Sequence, residues 1–280
     1  MINLGMHTDN WRTLSGNFEM ACESAVKYDL EHIEVGLING HYFVQAMGYD
    51  PSISMLQNPR SIKRYCEERG LQISQVDASF PMMGPKGSAY GVEYTQQGIR
   101  FANELGCPMV DTVDGESEIE GFSREEVFKI TCDNYRQVLD WAEDYDVIVN
   151  VEPHGPYTTD PEFMERLFGY FESEYLRLNM DTGNTFIAGK NPLEYLKSLH
   201  KYVSHAHIKD VSEELAAIAR GEDTGIATSE VGIGEGVNAQ NIEKCVNYLK
   251  DIDWDGVVSI ECYGADEKIQ SSVEFLRDLL

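Results

Sequence analysis

Short apolar runs that turn polar at their carboxyl ends recur along the chain. Each run is rich in Val, Ile or Leu, a composition that favours a buried strand. Eight such runs occur, at 2–8, 32–37, 72–79, 108–115, 147–155, 176–184, 203–210 and 257–264. Each is followed by a segment in which apolar residues recur at helical spacing. The pattern therefore predicts eight consecutive strand–helix units.

The segment 123–145 gives the clearest helix signal. Ser123 precedes two acidic residues, as in a capped helix, and Val127, Ile130 and Val138 follow at helical spacing. Strands that alternate with helices form parallel sheets. Eight units in this length match one (β/α)8 TIM barrel domain over residues 1–280. No GxGxxG follows the first run, which argues against a dinucleotide-binding fold.

Polar side chains share one face of several runs. Glu152 and His154 are in phase in the fifth run, as are His207 and Lys209 in the seventh. Glu261 is likewise opposed by apolar residues in the eighth run. Because the apolar face must pack against helices, we expect a polar interior at the carboxyl ends of the strands.

One connection is unusually long. Residues 211–237 follow the seventh run, with a short helical pattern first and a Gly-rich stretch second. A connection of this length is usually functional, so we expect a lid or a substrate wall there.

Composition and charge indicate which classes of partner and which cellular compartment to expect. The formal net charge of −26 argues against nucleic acid and anionic membranes and leaves a neutral small molecule as the simplest substrate. We expect a cytoplasmic protein, because the chain has no membrane-length apolar run and its start lacks a secretion signal. Reduced, mostly buried thiols are expected at Cys22, Cys66, Cys107, Cys132, Cys245 and Cys262.

A candidate metal site lies at the ends of four consecutive runs. Glu152, Asp181, His207 and Glu261 occupy these ends. A parallel barrel gathers the carboxyl ends of its strands around one axis, so these groups are expected to converge. Three oxygen donors and one imidazole suit a divalent cation, most simply Mn²⁺ or Mg²⁺, with Co²⁺ and Zn²⁺ as alternatives.

The motifs VEPHG, MDTGN, HAHIKD and SIECYG occur in this order. With them the chain resembles the xylose isomerase-like TIM barrel superfamily, in the branch of sugar epimerases and isomerases with tagatose and psicose 3-epimerases and inosose dehydratase. The resemblance covers essentially the whole chain. It implies that the metal ligands include His207 rather than His205, the second histidine of HxHxKD. It also implies that Glu152 and Glu261 form an acid/base pair on opposite faces of the substrate.

Two departures from the family pattern leave the reaction open. The epimerases tend to carry a histidine shortly after the metal Asp, where this chain has Thr182, Gly183 and Asn184. A second acid soon after Glu152 is also absent. The related phosphate-cutting endonucleases use more histidines, which, together with the acidity of the chain, argues against that activity. The family also implies a homo-oligomer, and a small partner subunit stays open.

Four further residues are candidates for the site. His154 is a candidate additional base or a donor to a sugar hydroxyl, and Lys209 either binds a substrate oxygen or belongs to a charge network. His7 and Trp11 are candidates for a sugar-facing wall, with the edge of the core as the alternative for His7. His205 is expected to support the site from behind.

Three functions are compatible with these residues. The first is a metal-dependent isomerase or epimerase that acts on a keto- or oxo-sugar through an enediolate, within carbohydrate metabolism. The second is a metal-dependent lyase on an oxidised sugar or glycoside, of dehydratase or C-glycoside deglycosidase type, for which His154 and the long insert would supply a leaving-group acid. The third is a non-catalytic barrel that binds a sugar or a partner.

Overall fold

A computed structural model describes residues 1–12, 16–40, 51–115, 117–221, 229–262, 264 and 266–280. Residues 222–228 of the predicted insert and Tyr263 of the eighth predicted run lie outside the described residues.

The described strands all pair in parallel. They are β1 (Ile2–His7), β2 (His32–Ile38), β3 (Ile53–Ser54), β4 (Gln72–Pro81), β5 (Met109–Val113), β6 (Ile148–Val151), β7 (Leu176–Asp181), β8 (Val203–Ile208) and β9 (Gly256–Ile260). Without β3, they close into a barrel of eight strands, because β1 pairs with both β2 and β9. The predicted (β/α)8 fold is confirmed, whereas its extent as one domain over 1–280 stays a prediction.

Helices surround the barrel between the strands. Besides shorter turns, they are α1 (Phe18–Lys27), α2 (Pro59–Glu67), α3 (Val92–Leu105), α4 (Arg124–Tyr145), α5 (Pro161–Phe171), α6 (Thr182–Ile187), α7 (Pro192–Leu199), α8 (Glu213–Ala219), α9 (Ala239–Asp251) and α10 (Asp266–Leu279). Ser123 caps α4 through the predicted capping box with Glu126.

The strands differ from the predicted runs in two ways, in where β6 and β9 end and in the presence of β3. β6 ends at Val151 and β9 at Ile260, so Glu152 and Glu261 are the first residues after their strands. The strand β3 is too short to show a periodic pattern and was not predicted; it pairs only with the end of β2.

The barrel interior is polar, as the phase of the runs predicts. Val149 and Val151 belong to the hydrophobic core between strands and helices. Asn150 of β6, Asn179 of β7 and His205 of β8 have no exposed surface. Buried polar groups need partners. The Asn150 amide donates to Gln75 Oε1 of β4, and His205 Nδ1 lies 3.0 Å from Asn179 Oδ1 on the neighbouring strand.

The long connection after β8 is tied down by one carboxylate. Asp210 accepts hydrogen bonds from the backbone N–H groups of Val211, Gly234, Gly236 and Asn238 at 2.8–3.0 Å. A Cβ atom at Gly236 would lie 2.5 Å from the Asp210 carboxylate, so only glycine fits there. Helix α8 supplies the short helix expected in the first half of this connection.

The six cysteines are free and buried. Within the described ranges, no helix has both the length and the apolar character needed to cross a membrane.

Candidate metal centre

Four side chains from four strand ends meet at the carboxyl rim of the barrel. Glu152, Asp181, His207 and Glu261 each offer a ligand atom, and these atoms all lie within 4.8 Å of one another. The parallel barrel explains this convergence, because β6, β7, β8 and β9 are consecutive neighbours.

His207 is the centre of the group. Its Nδ1 lies 2.8 Å from Glu152 Oε1 and 2.9 Å from Glu261 Oε2, and Asp181 Oδ2 is 3.8 Å away. Its Nε2 lies 2.8 Å from Glu34 Oε2. One Nδ1 atom carries at most one hydrogen, so it cannot make a separate, well-aligned hydrogen bond to both Glu152 and Glu261.

Lys209 is the second positive group. Its Nζ lies 3.0 Å from Asp181 Oδ2 and 2.9 Å from Glu261 Oε1. A Cβ atom at Gly183 would lie 2.7–2.9 Å from the aliphatic carbons of Lys209, so glycine at this position leaves room for the lysine side chain. Lys209 thus lies between two carboxylates, and both of its predicted roles stay predictions.

Local capping fixes the orientation of Asp181. It is the last residue of β7 and also caps α6, since its Oδ1 accepts from the backbone N–H of Asn184 at 2.7 Å. The Asn184 amide donates to Glu152 Oε1 at 3.2 Å and accepts from Lys209 Nζ at 3.3 Å. Asn184 therefore links Glu152 to Lys209.

The two glutamates have opposite electrostatics. Burial raises the pKa of Glu152, and His207 opposes this only in part. Burial also disfavours the charged form of Glu261, but Lys209 and His207 outweigh it and hold the pKa of Glu261 well below its ordinary value. His207 is buried, yet Glu34, Glu261 and Glu152 raise its pKa well above the ordinary value.

The predicted substrate groups lie in different environments. His7, at the end of β1, is buried and its Nε2 lies 3.4 Å from Asp77 Oδ2 and 3.7 Å from Glu34 Oε1. Trp11 packs in the hydrophobic core. His154 is half-buried, and burial lowers its pKa. Among the described residues, its buried Nδ1 has no hydrogen-bond partner.

His205 lies deeper than His207. Its Nδ1 is 3.0 Å from Asn179 Oδ1, and burial lowers the pKa of His205 to about 4. The Asn179 amide in turn donates to Asp111 Oδ2 at 3.0 Å. His205 thus belongs to a buried polar network with Asn179 and Asp111, and its supporting role stays a prediction.

Sequence reasoning missed Glu34 and Asn184. Glu34 lies in the middle of β2 with no exposed surface, the single charged residue between Ile33 and Val35. A charged residue inside a buried apolar strand is rare, and this was the signal available for Glu34. Asn184 gave no such signal, because asparagine is common in turns.

The donor set suits a divalent cation. It offers three carboxylates and one imidazole, and two carboxylate oxygens point at the same His207 nitrogen. Asp181 Oδ2 and Glu261 Oε2 are buried without a well-formed hydrogen bond from any described residue, although Lys209 and His207 lie close. A cation held by Glu152, Asp181, His207 and Glu261 would satisfy these oxygens.

Comparison with known proteins places this barrel among relatives. A family model described as xylose isomerase-like TIM barrel matches residues 22–279. The inosose dehydratase of Clostridium beijerinckii is 21% identical over an alignment of 181 residues, which covers 58% of this chain and 59% of that protein. The chain thus matches under two thirds of that relative's length.

Two solved structures share the fold. One is IOLI protein with a binding zinc atom, with 19% identity, a TM-score of 0.76, and coverage of 99% of this chain and 97% of that one. The other is D-psicose 3-epimerase with D-tagatose from Clostridium cellulolyticum H10, with 12% identity, a TM-score of 0.74 and 99% coverage of both chains.

Proposed function

The chain belongs to the xylose isomerase-like TIM barrel family, as its strand-end motifs predict, and we propose that it is a metal-dependent isomerase or epimerase of a keto- or oxo-sugar. The observation that carries the proposal is the convergence of Glu152 and Glu261 on one nitrogen of His207, with Asp181 beside them. The relatives named for sugar epimerisation and for a bound zinc atom support it.

The residues divide the chemistry between them. Glu152, Asp181, His207 and Glu261 would hold the cation, most simply Mn²⁺. When bound, such a cation supplies Lewis-acid polarisation of sugar oxygens. Glu152 or Glu261 takes the proton from the carbon next to the carbonyl, and the other glutamate returns one. Return from the opposite face to the same carbon inverts it. Return to the former carbonyl carbon, together with transfer of the hydroxyl proton between the two neighbouring oxygens, isomerises the sugar.

Other side chains orient these groups. Lys209 holds Glu261 and Asp181, and Asn184 holds Glu152. His154 is proposed to hydrogen-bond a sugar hydroxyl, because its Nδ1 is buried and free of partners within the described residues. His7 is proposed to line the substrate space, since it lies beside the same cluster. Trp11 remains a proposed wall residue whose Nε1 is likewise buried and has no partner among the described residues.

Solvent exchange tests the proposal. Metal-free protein is loaded with Mn²⁺, Mg²⁺, Co²⁺ or Zn²⁺ and incubated in ²H₂O with free and oxidised sugars. We expect deuterium next to the carbonyl and a new stereoisomer or aldose–ketose isomer by NMR, both lost with EDTA. The function is rejected if no combination of metal and sugar gives deuterium exchange or product.

A lyase on an oxidised sugar or glycoside is the second candidate. His154 favours it, because it follows Glu152 by two residues, has a buried Nδ1 without a partner among the described residues, and is not needed by the two-glutamate reaction. The likeness to an inosose dehydratase supports the same reading. Incubation with a 3-oxo-glycoside separates the two candidates, because a lyase releases an aglycone or leaves a product that has lost the mass of one water, and mass spectrometry detects either. Products that are only stereoisomers exclude the lyase.

A further inference from the structure

Glu34 lies directly behind His207 in the barrel. Its Oε2 is 2.8 Å from His207 Nε2, whereas Glu152 and Glu261 approach the other ring nitrogen, Nδ1. The two nitrogens of one imidazole therefore face two different sets of carboxylates. Glu34 has no exposed surface, so solvent does not compete for this contact.

A chain of buried hydrogen bonds fixes Glu34. The Gln75 amide donates to Glu34 Oε1 at 2.8 Å, and Gln75 Oε1 accepts from the Asn150 amide. Asn150 Oδ1 accepts from the Ser204 hydroxyl. These residues come from β2, β4, β6 and β8, so this series of hydrogen bonds crosses the whole barrel. Such a buried network holds its members in one geometry when each is satisfied.

The neighbours of His207 Nε2 leave Glu34 as its acceptor. The Asn179 amide nitrogen is 3.1 Å from Nε2, but an amide N–H₂ only donates, and this one already donates to Asp111. Glu34 accepts, so a hydrogen on Nε2 points to its carboxylate.

A second cation between His7, Glu34 and His207 is the competing interpretation, because their ligand atoms also lie within 4.8 Å of one another. The hydrogen bonds argue against it. His7 Nδ1 accepts from the backbone N–H of Asp9 at 2.9 Å, so the hydrogen of this ring is on Nε2, the atom that faces Glu34. A protonated nitrogen does not bind a metal.

We propose that Glu34 is a positioning residue that accepts the Nε2 hydrogen of His207 and so presents Nδ1 to the metal. The proposal rests on the metal site of the proposed function. A carboxylate behind a ligand histidine fixes the ring tautomer and its orientation and raises its affinity for metal. Gln75 supports this role by holding Glu34.

Metal binding to the intact chain tests the role. Metal-free wild type, Glu34→Gln and Gln75→Met are titrated with Co²⁺, and the visible absorption and the bound stoichiometry are recorded. We expect one Co²⁺ per chain in wild type, roughly 10- to 100-fold weaker binding in Glu34→Gln, and a smaller loss in Gln75→Met. The matched control is Glu31→Gln, at the exposed residue directly before the same strand, and it should bind as wild type.

Histidine NMR gives a readout that misfolding alone would not produce. In Zn²⁺-loaded protein labelled with ¹⁵N-histidine, His207 should carry its hydrogen on Nε2, and assignment uses His207→Gln. Metal on Nε2, two ions per chain with one lost in Glu34→Gln, or unchanged affinity in folded Glu34→Gln would each overturn only the role of Glu34. If wild type binds no cation, the metal site of the proposed function fails and the role of Glu34 fails with it.

Discussion

Glu152 and Glu261 form the two sides of the candidate centre, and they differ in their second neighbour. Both follow a barrel strand directly, and both approach His207 Nδ1. Glu152 also accepts from the neutral Asn184 amide, whereas Glu261 lies 2.9 Å from the Lys209 ammonium. The pKa of Glu152 is raised by burial, while Lys209 and His207 overcome burial and lower that of Glu261.

This difference shows that a cationic neighbour, rather than depth in the barrel, distinguishes the two carboxyl groups. Environments that separate the proton affinities of two acids suit one to hold a proton while the other is ionised. We therefore expect the two glutamates to serve the two faces of a substrate unequally.

The largest expected effect is the loss of either glutamate. We expect Glu152→Gln and Glu261→Gln each to lower kcat by about 10²- to 10⁴-fold, because a proton-transfer group is lost. Solvent deuterium exchange is measured alongside product formation. The variant that lacks the glutamate that removes the proton should lose both exchange and product. The variant that lacks the glutamate that returns a proton should lose product but keep part of the exchange. Exposed Glu243→Gln is the control, and full activity of Glu261→Gln would refute the acid/base pair.

Replacing Lys209 should make the Glu152 and Glu261 sides of the centre more alike, because it removes the ammonium group that lowers the pKa of Glu261. Lys209→Met leaves the carboxylates of Asp181 and Glu261 without their shared cation. Removing one partner of a buried ion pair costs about 3–5 kcal/mol, so urea unfolding of the metal-free variant should show a loss in this range. Exposed Lys244→Met should unfold as wild type does. An unchanged free energy of unfolding would mean that Lys209 does not determine the difference.

The sequence predicted the rim of this site better than its interior. Glu261 and Asp181 could be found because each ends an apolar run, and strand ends gather in any parallel barrel. Glu34 could not be placed, because its contact with His207 depends on how β2 faces β8 across the closed barrel, 173 positions away in sequence. Asn184 was noted only as a departure from the family pattern, since its two partners become neighbours only after folding.

Metal removal tests whether both sides serve one cation. A ligand that binds only the folded state stabilises it by about 2.7 kcal/mol at 100 times its Kd. For a domain of this size this corresponds to roughly 5–10 °C in Tm. We expect this shift on adding Mn²⁺ to metal-free wild type, and a clearly smaller one in both Glu152→Gln and Glu261→Gln. A shift lost in only one variant would assign the cation to that side alone.

The smallest expected effect comes from cutting the link between the two sides. Asn184 donates to Glu152 and accepts from Lys209, so Asn184→Ala removes the neutral donor that distinguishes the Glu152 side. A net hydrogen bond contributes about 1 kcal/mol, and urea unfolding of the metal-free variant should show a loss of that order. Asn247→Ala, on the exposed face of α9, should change the free energy of unfolding by less than about 0.5 kcal/mol. A loss in Asn184→Ala as large as that in Lys209→Met would instead mean that the amide and the ammonium act as one unit.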